Sequence, residues 1–76
     1  MVEAYLLITT PAGTARSVLS EVRDLEATSR ANVIAGEFDI IATVEAENTQ
    51  ELLVLVTEEI QSLENVARTR TCVVLE

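Results

Sequence analysis

An α+β fold, with a four-stranded antiparallel sheet and two helices on one of its faces, is predicted from three features of the 76-residue sequence. The apolar pattern changes from period two to near 3.6 and back, in the order strand, helix, strand, strand, helix, strand. Turn residues fall at changes of pattern, at Pro11 to Gly13 and at Gly36 to Glu37. Two of the four strand segments are apolar on both faces, while the other two carry arginines. The βαββαβ order is the split βαβ, or ferredoxin-like, arrangement. Right-handed crossovers then place strands one and three in the middle of the sheet and strands two and four at its edges.

Each element has its own signal. "VEAYLLITT" (Val2 to Thr10) alternates Val2, Ala4, Leu6 and Ile8 on one side with Tyr5 and Leu7 on the other, as a central strand does. From Thr14 the apolar residues Ala15, Val18, Leu19, Val22 and Leu25 form one helical stripe, with Gly13 or Thr14 as the expected cap. "TSRANVIA" (Thr28 to Ala35) is a polar strand suited to an edge. "FDIIATVEA" (Phe38 to Ala46) is apolar on both faces and suits the centre. Asn48 is the expected N-cap of the second helix, with Glu51 completing a variant capping box. That helix is expected to run to about Leu63 and to bury Leu52, Leu53, Val56, Ile60 and Leu63. Leu55 falls at the stripe's edge and Val54 points elsewhere. "NVARTRTCVVLE" (Asn65 to Glu76) closes the sheet, with Arg68 and Arg70 alternating against Thr69 and Thr71.

Both helices pack on one sheet face, and nothing remains to cover the other. Monomers rarely leave more than a few hundred Å2 of contiguous apolar surface open. The expected remedy is a second copy, packed sheet to sheet about a two-fold axis as a dimeric α+β barrel. Composition points the same way. A chain this short is marginal alone, and a single cysteine, Cys72, permits no internal disulfide.

Charge narrows the function. Thirteen acids against five arginines give −8, and lysine and histidine are absent. Neutralising phosphates requires clustered basic residues, so neither nucleic acid nor an anionic membrane is an expected partner. The acidity reads either as solubility of a small sticky domain or as adaptation to high salt. Met1 leads directly into a strand-like segment, with no signal peptide, and no apolar run approaches the length of a membrane span. The expected location is the cytoplasm, and 1–76 reads as one domain.

The catalytic inventory is thin. Histidine, the common general acid–base, and lysine, the Schiff-base former, are both missing. Cys72 sits mid-strand with no base to activate it and reads as a small hydrophobe. One cysteine without histidine builds no zinc site, and "PAGTARS" lacks the glycines and lysine of a phosphate loop. The expectation is no enzyme and no cofactor. One stretch stands out: "GEFD" sets the only phenylalanine, Phe38, between Glu37 and Asp39. It reads either as a hairpin turn with solvated acids or as the wall of a binding site.

Three motifs carry a resemblance. "ITTPAG" ends the first strand, "GEFDIIATV" matches a Gly-x-Tyr/Phe-Asp turn leading into a strand, and "ENVARTRTCVVL" matches a loop, a valine, Thr-x-Thr and an apolar strand. In this order and spacing they resemble, over the whole chain, the effector-binding RAM domain of the Lrp/AsnC transcription regulators. Such regulators carry an N-terminal helix-turn-helix domain, which this chain lacks, so it resembles a stand-alone RAM protein. The resemblance implies sheet-mediated dimers that assemble further into rings such as octamers. It implies an amino acid or related small metabolite bound in clefts between dimers, and full-length Lrp/AsnC regulators as partners. It also implies a site. Gly36 would let the backbone approach the ligand, Asp39 would receive an α-ammonium group or hold its loop by accepting backbone N–H bonds, and Phe38 would supply a wall. Thr69 and Thr71 would offer hydroxyls from one face of the last strand. For each residue the architectural reading stays open: turn glycine, core ring, ordinary strand threonines.

The leading functional expectation is thus an effector-binding domain in transcriptional regulation of amino-acid metabolism. It would act through ligand-dependent oligomerisation or co-assembly, without binding DNA. Two alternatives are a dimeric α+β barrel enzyme for a small metabolite, with only Tyr5 and a few carboxylates to work with, and a purely structural assembly module.

Overall fold

The computed structural model describes all 76 residues. Its elements run β1 (Val2–Thr9), α1 (Ala15–Arg23), β2 (Thr28–Val33), β3 (Ile40–Ala46), α2 (Thr49–Val54, continuing as a π-helical segment over Leu55–Ile60) and β4 (Arg68–Val73). The strands form one antiparallel sheet in the order β2-β3-β1-β4. The two doubly apolar segments are therefore central and the two arginine-bearing ones are edges, as the sequence predicts. No helix is long and apolar enough to cross a membrane.

The core lies between the helices and one sheet face. Ala4, Leu6 and Ile8 of β1 stand beside Val44, Ala42 and Ile40 of β3. Val18 and Val22 of α1 cover them, together with Leu52, Leu55, Val56 and Ile60 of the second helix. Every one of these side chains is buried, and no polar residue is buried with them. Fully burying a side chain of this size contributes roughly 1.5–3 kcal/mol.

Helix ends and phases differ in part from the expectation. Asn48 caps as predicted: its Oδ1 accepts from the Glu51 N–H at 2.8 Å. Glu51 reaches back to accept from the Glu47 N–H at 3.2 Å, one residue before the cap. Thr14 holds the N-cap position of α1, but its hydroxyl turns back to donate to the Pro11 carbonyl at 2.7 Å and caps nothing. Leu53, expected in the core, is 62% exposed, and Leu55, expected at the edge, is buried. The π-helical segment contributes to this. Its wider turn, seen in the Gln61 N–H donating to the Val56 carbonyl, keeps residues four apart nearer one line than a 3.6-residue turn does. Leu52, Val56 and Ile60 occupy that line, with Leu55 beside it. The helix ends near Ile60, and Leu63 packs on the core's rim from the following loop. In that loop Asn65 takes the left-handed conformation, with φ of 68°.

Candidate functional site

The turn between β2 and β3 is held mainly by one carboxylate. Asp39 sits just before β3, and its Oδ2 accepts from the Thr10 N–H at 2.8 Å. Its own N–H donates to the Ile8 carbonyl at 2.9 Å, and its carbonyl accepts from the Ile34 N–H at 2.8 Å. One residue thus ties the end of β1, the β1–α1 loop and the end of β2 together. A charged acceptor for a half-buried backbone N–H makes a strong bond of its kind.

Phe38 lies at the same end of the sheet. The Arg70 guanidinium stands 5.9 Å from its ring centroid. Arg70 belongs to β4, opposite Leu7 of β1, so the contact reaches across the central strand. Phe38 is half-buried, with its ring against this cation and outside the core cluster. Gly36 has no positive φ, and a Cβ built on it meets nothing within 4 Å. The turn does not need glycine for its backbone, nor does any neighbour within the protomer crowd it. Gly13, at φ of +83°, is the glycine whose conformation requires its type.

The two threonines stand elsewhere. Thr69 and Thr71 pair with Ile8 and Leu6, both core residues, and so point to the helix side of the sheet. The Gln61 side chain donates to Thr69 Oγ1 at 3.3 Å. Thr71 lines a groove of about 150 Å3 with Leu52, Leu53, Val56 and Val73. The protomer therefore brings Gly36, Phe38 and Asp39 together at one end of the sheet and sets Thr69 and Thr71 on its helix side. None of the protomer's concavities includes Gly36, Phe38 or Asp39. Thr10, Arg70 and Gln61, the partners of Asp39, Phe38 and Thr69, were not singled out from sequence as site residues. No local pattern marks a backbone N–H or a cross-strand arginine as the partner of a particular side chain.

The opposite sheet face is open. Tyr5 is 43% exposed, Leu7, Ile41 and Thr43 are half-buried, and Arg30 and Arg70 flank them. No group of three acidic or cysteine side chains converges as a metal site would require.

The protomer thus combines an uncovered sheet face with a carboxylate-pinned turn at the end of its central strands. The family itself follows from comparison. Residues 3–76 match the model of the Lrp/AsnC ligand binding domain, and the chain belongs to that family. The solved structure of FFRP-DM1 is 31% identical, with a TM-score of 0.95, over 99% of this chain and 100% of that one. AsnC of E. coli is 22% identical with a TM-score of 0.93, over 99% of this chain and 51% of AsnC. A transcriptional regulator of Neisseria meningitidis, solved as a complex with L-Met, is 18% identical with a TM-score of 0.88, over 99% of this chain and 50% of that one. The last two share the fold over about half their length. No curated protein sequence matches the chain.

Proposed function

We propose that this domain binds an amino acid or a related small metabolite and acts in transcriptional regulation of amino-acid metabolism. It does so by ligand-dependent assembly, alone or with full-length Lrp/AsnC regulators, and does not itself bind DNA or catalyse a reaction. The carrying observation is the match of residues 3–76 to a ligand-binding domain family. The L-Met complex of the Neisseria regulator, which shares the fold, supports an amino acid as the ligand class. The net charge of −8 argues against a role on DNA.

The reading requires assembly. The open sheet face, with Tyr5, Leu7 and Ile41 between arginines, takes a second copy of itself. The ligand then lies between dimers, where Gly36, Phe38 and Asp39 of one protomer approach Thr69 and Thr71 of another. Gly36, unconstrained within the protomer, lets a ligand or a neighbouring chain come close to the backbone. Asp39 holds its loop through Oδ2 and offers Oδ1 to an ammonium group. A site completed only by joining dimers has different affinity for the joined and separated forms, which is the condition for a ligand to shift assembly.

A thermal-unfolding screen against the amino acids tests this, since binding to the native state raises the unfolding temperature by mass action. The expected result is a selective shift that Asp39→Asn abolishes. That variant keeps an acceptor for Thr10 and removes the charge. A shift that survives in Asp39→Asn removes Asp39 from the site. The absence of any shift on a folded oligomer overturns the effector reading in favour of an assembly module.

A further inference from the structure

Charge is segregated between the grooves of this chain. The largest groove, of about 580 Å3, is lined by Glu26, Glu45, Glu47, Glu51 and Glu59 and by no arginine. Another, of about 290 Å3, runs along the β2 edge and is lined by Arg23, Thr28, Ser29, Arg30, Ala31 and Asn32. In a chain with 13 acids against five arginines, it gathers two arginines and no acid. Asp24 and Glu26, close by in sequence, line no part of it. A protein at −8 repels anions over most of its surface, so it holds an anion only where cations prevail locally.

The polar groups along this groove are mostly donors that the fold leaves unused. Arg23, at the end of α1, donates to the Ala31 carbonyl from Nε at 3.1 Å and Nη2 at 2.8 Å. This covers an acceptor that would repel an anion, and it leaves Nη1 unspent. Arg30 enters none of the protomer's side-chain hydrogen bonds. It is exposed at the rim between this groove and the open sheet face. Even-numbered residues of β2 bond β3, as Ile34 does in donating to the Asp39 carbonyl. Alternation therefore turns the Ala31 N–H outward, toward the groove. The Thr28 hydroxyl is the one buried side-chain polar atom of the chain without a hydrogen-bond partner. Such an atom is costly, and a ligand oxygen at the groove offers it the bond that the protomer does not. Ser29 adds no donor, because its hydroxyl donates to the Thr43 carbonyl at 3.1 Å.

We propose that this groove binds a phosphate group, as the free ion or as the monoester of a small metabolite. Two guanidiniums bring two positive charges and two planar forks. These match the charge and the three acceptor oxygens of a phosphate dianion better than the single charge of a carboxylate. Arg30 and Nη1 of Arg23 meet the charge, and the Ala31 N–H donates to one oxygen. Rotation about Cα–Cβ aims the Thr28 hydroxyl at another. The bulge between Thr28 and Arg30 breaks the alternation of β2 and lets side chains of both sheet faces line one groove. The groove shares no residue with Gly36, Phe38, Asp39, Thr69 or Thr71, so the inference does not need the effector reading.

Phosphorus NMR titrations of the full chain with inorganic phosphate and with glycerol 3-phosphate, at fixed ionic strength, test this. The expected result is saturable binding that acetate does not compete away. Tighter binding of glycerol 3-phosphate assigns the groove to an ester, and tighter binding of inorganic phosphate assigns it to the free ion. Arg30→Gln is expected to weaken the affinity about tenfold or more. Thr28→Val, which removes the hydroxyl and keeps the shape, should weaken it several-fold. Arg16→Gln removes the same charge from an exposed helical position outside the groove and should leave it unchanged. Circular dichroism and light scattering check that each variant keeps its fold and its mass. The proposal is overturned if neither compound binds saturably, if acetate competes as well as phosphate, or if Arg16→Gln costs as much affinity as Arg30→Gln. Asp39→Asn, which removes the amino-acid response, should leave phosphate binding intact, so the two readings fail separately.

Discussion

On the helix-covered face of the sheet, Leu6 and Ile8 of β1 stand against Ala42 and Ile40 of β3, all at 1% exposure or less. On the open face, one residue along the same strands, Tyr5 and Leu7 stand against Thr43 and Ile41, with arginines of both edge strands beside them. The backbone and the hydrogen-bond ladder are common to both faces. What differs is what lies above them. The covered face is closed by this chain's own helices, so its residues stabilise the fold. The open face mixes aromatic, aliphatic and arginine side chains, the composition of an association surface. In the proposed assembly, alternation along β1 divides folding from association residue by residue.

The largest expected effect separates neighbours on β1. Ile8→Ala leaves a cavity under both helices and should cost about 2–5 kcal/mol of unfolding free energy in denaturant titrations, at any protein concentration. Leu7→Ala, one position away, should lower stability only where the protein is associated, and the loss should fade as the sample is diluted. Equal, concentration-independent losses for the two variants would remove the distinction between the faces.

The two faces of the central strands were legible in the sequence because period two is a strong signal when both faces are apolar. The central strands, the edges and the Asn48 cap were read from local pattern alone. The phase of the second helix was not. "LLVLV" offers an apolar residue to every direction, and the local widening to i to i+5 bonding, which no residue announces, helps favour Leu55 over Leu53. The candidate site was legible as residue types but not as geometry. Gly36, Phe38 and Asp39 are adjacent in sequence and meet in space. Alternation already sets Thr69 and Thr71 on the face opposite Arg70, but that Arg70 meets Phe38 across β1 follows only from register.

Asp39 sharpens the comparison at the end of the sheet, where the two faces meet. Asp39→Ala strips the Thr10 N–H of its acceptor. An unsatisfied, partly buried donor costs roughly 1–3 kcal/mol, so chemical denaturation should detect the loss without ligand. Asp39→Asn should recover most of it. If Asp39→Ala is as stable as the parent, water replaces the carboxylate at Thr10, and Asp39 is then free for another role.

The smallest effect expected lies on the open face itself. Arg70→Ala removes the cation from the Phe38 ring. At 5.9 Å from the centroid, near the outer limit for such contacts, the loss should be about 0.5–1 kcal/mol or less. Arg70→Lys should recover part of this. The guanidinium also lies among the residues that a second sheet would cover, so truncation should weaken association more than folding. Light scattering on a dilution series, beside thermal unfolding of the same samples, separates the two. A shifted dissociation midpoint with a nearly constant low-concentration unfolding temperature places Arg70 with Leu7 on the association side. A lower unfolding temperature at all concentrations instead makes the Phe38 contact part of the protomer's own architecture, and binds the turn to β4 before any partner arrives.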